Sequence, residues 1–199
     1  VQVGRIREYH NGETLYRIGD PPDGLYAVLS GLIRLVSYPN IGCELVAAVV
    51  NQGWLGEVSV IDRQPRRHDA IASGKVAVMK ISLSDWRALV SKMPTFTEDL
   101  ARLSCAHIRR QMDEIDALMT HGAEGRLSRL LLQLARPEPG QRNPVRVDLG
   151  QETLANLTGI SRQRTNKLLR AMEALGAIRI GYSYIEVIGP DALAVLDFR

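Results

Sequence analysis

The chain has 199 residues, 45% hydrophobic and 24% charged, with a formal net charge of +3, enough for two small domains that each bury a core. It has no run of the roughly 18 apolar residues that a spanning helix needs and no basic-then-apolar leader, which points to the cytoplasm, although a first residue other than Met leaves open an element before it. Two cysteines, Cys43 and Cys105, far apart and in unlike surroundings, exclude a disulfide framework and a four-thiolate iron–sulfur or zinc site within these residues.

From 13 to 82 the chain repeats short segments such as LYAVLSGLIRLVS, ELVAAVV and KVAVMKIS, with β-type alternation or a short apolar run in each. Glycines 19, 24, 31, 53 and 74 recur near the expected turns, where positive φ is often needed. The pattern predicts an antiparallel β-roll of the jelly-roll kind over 1–95. The period then becomes helical. Over 96–119, Ala101, Cys105, Ile108, Met112, Ile115 and Met119 advance by four and three residues alternately, which is a heptad seam. A second stripe of Phe96, Leu100 and Leu103 can pack back on the roll. A helix with two apolar stripes is poorly covered by one small domain, so 96–120 is expected to be a central helix with a homodimer interface at Cys105, Ile108, Met112, Ile115 and Met119. The alternative cover is the chain's own C-terminal domain, 121–199.

The stretch 151–176, QETLANLTGISRQRTNKLLRAMEALG, holds a short helical pattern, a break at Gly159 and a longer amphipathic helix. Two tightly crossing helices need a small residue at the crossing and a turn residue free to take positive φ, and Ala155 and Gly159 stand at those places. Leu168, Leu169 and Met172 supply the buried stripe of the second helix. Ser161 is a candidate N-cap, placing Arg162 and Gln163 in the first turn, with Arg164, Asn166 and Lys167 following. Four basic and no acidic residues lie between 161 and 170, where a helix facing only water usually mixes signs. The expectation is a helix-turn-helix that reads double-stranded DNA, with Gln151 at the start of its first helix. After it, 177–188 reads AIRIGYSYIEVI, a hairpin signal that makes the domain winged. Arg179 and Tyr182 stand where a wing touches phosphate, although such a hairpin can also simply close the core. The charge agrees: residues 1–120 hold 14 basic and 14 acidic side chains, and 121–199 hold 11 and 8.

In order, a β-roll, a long central helix and a winged helix-turn-helix resemble the cyclic-AMP receptor protein and FNR (Crp/Fnr) family of bacterial transcription regulators, an α+β architecture. The resemblance covers nearly the whole chain and rests on GDPPDGLYAVLSGLIRLVS at 19–37, NQGWLGEVSVIDRQPRR at 51–67, GRLSRLLLQLA at 125–135 and SRQRTNKLL at 161–169. In nucleotide-binding members a Gly-Glu pair opens a short helix whose N–H groups receive the phosphate, the Glu holds the ribose 2′-hydroxyl, and an Arg about ten residues on pairs with the phosphate. The resemblance thus implies an effector site at Gly56, Glu57, Val58 and Arg66, an arrangement suited to an anion and a sugar hydroxyl. It implies cAMP or cGMP as effector, and RNA polymerase as a partner.

Departures from the family pattern are specific. Arg67 replaces the small hydroxyl residue after the Arg, and Gln111 and Met112 stand where a Thr-Ser pair often reads adenine; Met112 has no hydrogen-bonding group for that task. A different anion, or a vestigial pocket, is the alternative. In the reading helix Gln163 stands for Glu and Lys167 for Arg, which suits adenine at the Gln163 position and implies a shifted operator. Thr165 occupies a place usually aliphatic. A haem sensor would need an axial ligand from His10, His68, His107 or His121, and lone histidines are more often surface or hydrogen-bonded residues. Catalysis of the cupin type needs two or three histidines and a carboxylate on neighbouring strands; the roll offers only His10 and His68, so no enzyme and no metal site are expected. A cyclic-nucleotide module signalling only to a protein partner is the remaining rival, and the basic reading helix argues against it.

Overall fold

The computed structural model describes residues 4–40, 43–135 and 144–197. The chain forms two compact units, Val1–Met112 and Asp113–Arg199. In the first, strands β1 (Arg5–Tyr9), β2 (Thr14–Tyr16), β3 (Gly24–Asn40), β4 (Cys43–Val50), β5 (Gly53–Leu55) and β6 (Asp69–Ser82) make one antiparallel sheet. Its backbone is the pairing of the two long strands β3 and β6, with β1 and β2 on the far side of β6 and β4 and β5 on β3. Gly31 and Gly74, expected at turns between strands, lie inside β3 and β6 instead. Ser30 pairs with Ala77 and Leu32 with Ser73, so residues 74–76 face Gly31 alone. Such a bulge bends and twists both strands, and it curls the sheet into a roll without breaking it into shorter strands.

Alternation then fills the roll. Tyr26 and Val28, Ala70 and Ala72, and Val76 and Val78 point inward with Tyr16, Ile33 and Leu55. Three helices belong with it: α1 (Glu57–Asp62), α2 (Leu83–Lys92) and α3 (Thr95–Thr120). Helix α2, not anticipated, is capped by Ser82, whose Oγ accepts the Asp85 N–H at 3.1 Å, and it buries Trp86. The expected inward stripe of α3 is present. Leu100 is buried among Leu25, Val60, Ile81 and Trp86, with Phe96 and Leu103 beside it. The heptad seam is exposed along its length, from Ile108 (56%) through Met112 and Ile115 to Met119 (81%).

The second unit contains the end of α3, then α4 (Ala123–Leu134), β7 (Val145–Val147), α5 (Gln151–Thr158), α6 (Arg162–Ala174), β8 (Ile178–Ile180), β9 (Ile185–Val187) and α7 (Pro190–Asp197). Strands β7, β9 and β8 form a small antiparallel sheet, the wing. Leu127, Leu131, Leu154, Leu169, Met172, Ile178 and Leu193 make the core, each large apolar side chain contributing roughly 1.5–3 kcal/mol on burial. Arg126, from the GRLSR segment, is a strut: its Nε donates to Thr158 O and its Nη1 to His121 O, both at 2.9 Å. It thereby satisfies carbonyls at the ends of α5 and α3 that have no helical partner.

Candidate functional site

Two groups of residues carry the chemistry, one in each unit. In the second unit, α5 and α6 meet as the spacing predicts. Ala155 is buried at the crossing, and Gly159 takes φ 64° while its N–H closes onto Ala155 and Asn156 carbonyls. Ser161 caps α6, its Oγ accepting the Arg164 N–H at 3.4 Å. The buried stripe is Thr165, Leu169 and Met172; Leu168, expected within it, is only half-buried, and Thr165 takes its place. Thr165 is fully buried and its Oγ1 has no hydrogen-bond partner. An unpaired buried hydroxyl costs about 1–3 kcal/mol, so Thr165→Val, which keeps the shape and removes the hydroxyl, is expected to stabilise the C-terminal unit by about 1 kcal/mol, read as a higher urea midpoint.

The opposite face of α6 points to solvent. Arg162, Gln163, Arg164 and Lys167 are exposed and Asn166 is half-exposed. Among the described residues no acidic side chain pairs with Arg162, Arg164, Lys167 or Arg170. Unpaired cations above a rigid apolar stripe suit a groove lined with phosphates. The wing differs. Arg179 lies directly opposite Glu186 in the ladder, and its Nη1 donates to Glu186 Oε2 at 2.9 Å, so its charge is already partnered. Tyr182, at the hairpin tip, is fully exposed.

In the first unit, Gly56 takes φ 86° immediately before α1. Arg66, ten residues further along the chain, lies against it and is 2% exposed. Its Nη1 donates to Gly56 O at 2.8 Å, and its Nη2 to Asp23 Oδ1 at 2.8 Å and Gly24 O at 2.7 Å. The guanidinium stacks over Tyr16, 4.3 Å from the ring centre. The φ of 86° favours glycine at 56, and a Cβ there would stand 2.5 Å from Arg66 Nη1, so the guanidinium would have to shift. Asp23 also accepts from Tyr26 Oη at 2.7 Å and pairs with Lys80. Partial burial pushes the Asp23 carboxyl upward, but hydrogen bonds from Lys80, Arg66 and Tyr26 outweigh it and hold the group below the usual carboxylate range. Burial raises the Tyr16 and Tyr26 hydroxyls, keeping both neutral.

Glu57, the first residue of α1, is 4% exposed, and its Oε1 lies 2.7 Å from His107 Nδ1 on α3. Neither this partner nor Asp23 was anticipated from the sequence. Gln111 follows His107 by one helical turn and so shares its side of α3, whereas Met112 belongs to the exposed seam. Val58 (57% exposed) and Arg67 face outward, and Arg67 has no partner among the described residues. Partial burial and the neighbouring Arg67 hold the His68 imidazole below its usual pKa, and Asp69 anchors the loop by accepting the Ile18 N–H at 2.7 Å and the Tyr38 hydroxyl at 3.1 Å. A cleft of about 820 Å³ runs along β1 and β2, lined by Arg7, Tyr9, Tyr16 and Arg17, but not by Gly56, Glu57, Arg66 or Arg67. Among the described residues no cluster of His, Cys, Asp and Glu is arranged to hold a metal ion, and no helix is long and apolar enough to cross a membrane.

Residues 6–93 match the cyclic nucleotide-binding domain family and residues 125–196 the Crp-like helix-turn-helix domain family. A cyclic AMP receptor protein of Thermus thermophilus is 31% identical over 91% of this chain and 82% of its own length. A fumarate and nitrate reduction regulatory protein of Salmonella typhi is 27% identical over 98% of this chain and 79% of its own. Among solved structures, FixK2 of Bradyrhizobium japonicum superposes with a TM-score of 0.81 at 17% identity over 98% of both chains, a likeness of fold. A roll ending in a buried Gly-Glu-Arg cradle, a helix-turn-helix with free cations on its second helix, and relatives that span both place this chain in the Crp/Fnr family of transcription regulators, DNA-binding proteins and not enzymes.

Proposed function

We propose that the chain acts as a cytoplasmic homodimer whose grip on its operator is set by a small anionic effector, a cyclic nucleotide first among the candidates, taken up at Gly56, Glu57 and Arg66 against α3. The observation that carries this reading is the Glu57–His107 bond. A ligand hydroxyl that binds the Glu57 carboxylate has to share or displace His107, so occupancy of the cradle is felt directly by α3. Arg66 supports an anion there: its buried Nε has no partner, leaving one N–H for a phosphate oxygen. Gln111, on the His107 side of α3, supplies a donor and an acceptor to a base.

In a dimer each α3 is continuous with a helix-turn-helix unit, and a change in the pairing of the two helices alters the spacing of the reading helices, which must match successive major grooves ~34 Å apart. A differential affinity of about 1–3 kcal/mol between the two arrangements is enough to switch binding. The exposed seam supplies the apolar surface for pairing. A charge in its middle, Ile115→Asp, is expected to turn the dimer into a monomer in sedimentation velocity; a dimer that persists would place the interface elsewhere. RNA polymerase as the partner of the promoter-bound dimer rests on family resemblance.

A second reading, a regulator of this family with an altered or closed pocket, is favoured by the engagement of both terminal nitrogens of Arg66. The two separate in an anisotropy titration of a duplex selected by the protein from a random library, with and without cAMP or cGMP. A nucleotide-dependent gain of about 5-fold or more, as a 1–3 kcal/mol coupling predicts, supports the first reading. Equal affinity throughout supports the second.

A further inference from the structure

Helix α6 carries a cation beyond its base-reading turn. Arg170 continues the stripe of Arg162 and Asn166 at four-residue intervals, away from buried Thr165, Leu169 and Met172. It is exposed, and no acidic side chain among the described residues pairs with it. With Gln151 of α5, Asn166, Glu173 and Ile180 of β8, it lines a cleft of about 580 Å³. The one carboxylate in that lining is already used, since Glu173 Oε1 accepts the Ile180 N–H at 2.8 Å and ties α6 to the wing. That bond fixes the Glu173 carboxylate toward β8 but leaves its charge in the lining; the donors the cleft offers are two side-chain amides and a guanidinium that pairs with no acidic side chain among the described residues.

We propose that this cleft seats a backbone phosphate of the DNA duplex and that Arg170 is the group that grips it. The inference rests on α6 being the base-reading helix. Eight residues separate Arg170 from Arg162, so Arg170 stands ~12 Å further along the axis. The major groove of B-form DNA is itself ~12 Å wide. With Arg162 at the base edges, Arg170 has left the floor of the groove and meets its wall, where the phosphates run. A guanidinium presents two parallel N–H groups to phosphate oxygens, and Gln151 and Asn166 add neutral donors on either side. Such a contact fixes the position of α6 on the duplex and carries no sequence information.

The test is the salt dependence of DNA binding by the full chain, on the selected duplex and on a scrambled duplex of equal length. Arg170→Gln is expected to lower the slope of log Kd against log salt by about 0.9 per half-site, hence by about 2 for a dimer on both half-sites. At ~0.1 M salt that amounts to a roughly 60-fold loss on both duplexes, with their ratio unchanged. Arg170→Lys, which keeps the charge, restores the slope; a purely structural role for the guanidinium would leave the Lys variant as defective as the Gln variant and would overturn the proposal. An unchanged slope in Arg170→Gln would also overturn it, as would a loss confined to the selected duplex, which would make Arg170 a base contact. Failure of the reading-helix assignment shows separately, as an Arg162→Ala variant that keeps the affinity and preference of the parent.

Discussion

Arg162→Ala is expected to abolish sequence-specific DNA binding while leaving the protein folded. Arg162 is the first residue of α6, exposed, and without a partner among the described residues, so its removal costs the fold little: surface changes of this kind stay within about 0.5 kcal/mol. Its position after the Ser161 cap is the one from which recognition helices touch base edges. A bidentate arginine–guanine contact is worth about 1–3 kcal/mol of discrimination, so a dimer that makes two of them loses roughly 2–6 kcal/mol on its operator. The residual binding should be that of a scrambled duplex. Anisotropy on the two duplexes, with circular dichroism to show an unaltered fold, checks both halves of this expectation. Unchanged affinity and preference would mean that another element reads the bases.

Arg66→Ala is expected to have the opposite character, a collapse of the N-terminal unit with no direct effect on the reading helix. The guanidinium holds three segments that are distant in the chain: the turn at Asp23 and Gly24, the Gly56 that precedes α1, and Tyr16 of β2. Truncation leaves two carbonyls without their donor, removes the stacking on Tyr16, and strips Asp23 of one of its cations. Each buried carbonyl left without its donor costs about 1–3 kcal/mol, whereas half-exposed Asp23 keeps Lys80 and water; together with the lost packing this is a large part of the 5–15 kcal/mol that stabilises an ordinary domain. The melting transition of the N-terminal unit should fall sharply or disappear, while the C-terminal unit keeps its own. A melting curve like that of the parent would mean that Arg66 is held in place by less than these contacts suggest. Effector binding is lost along with the fold in this variant, so Glu57 is the residue whose substitution reports on the ligand.

Where a pattern is periodic, it is legible from the chain alone. The inward stripe of Phe96, Leu100 and Leu103 on α3, the Ser161 cap, the Gly159 turn and the wing hairpin all follow from spacing, because each is set by neighbours within a few residues. Strand β1 is a different case: four of the five residues in RIREY are exposed, and the segment is held by backbone pairing with β6, so it has no alternation to find. Helix α2 did carry a signal, Ser82 three residues before Asp85, with Leu83, Trp86 and Val90 at helical spacing. Positive φ was legible at Gly31 and Gly74, but whether a glycine separates two strands or bends one depends on what pairs across from it. Partners are harder still. Asp23 lies 43 residues before Arg66 and His107 lies 50 after Glu57, and no local spacing encodes either contact. The candidate effector residues could therefore be named from the sequence, while the state of the cradle, with the two terminal nitrogens of Arg66 engaged within the roll and Glu57 bonded to α3, belongs to tertiary structure.

The most direct measurement is calorimetric titration of the full chain with cAMP and with cGMP, repeated on Glu57→Gln. Glutamine keeps an acceptor for His107 and removes the charge that favours a sugar hydroxyl, so the fold should persist. The parent is expected to bind at least one of the two nucleotides saturably in the micromolar range, and Glu57→Gln to lose that binding at an unchanged melting temperature. No heat with either nucleotide, or binding that Glu57→Gln leaves intact, would mean that Glu57 and its neighbours do not form a cyclic-nucleotide site.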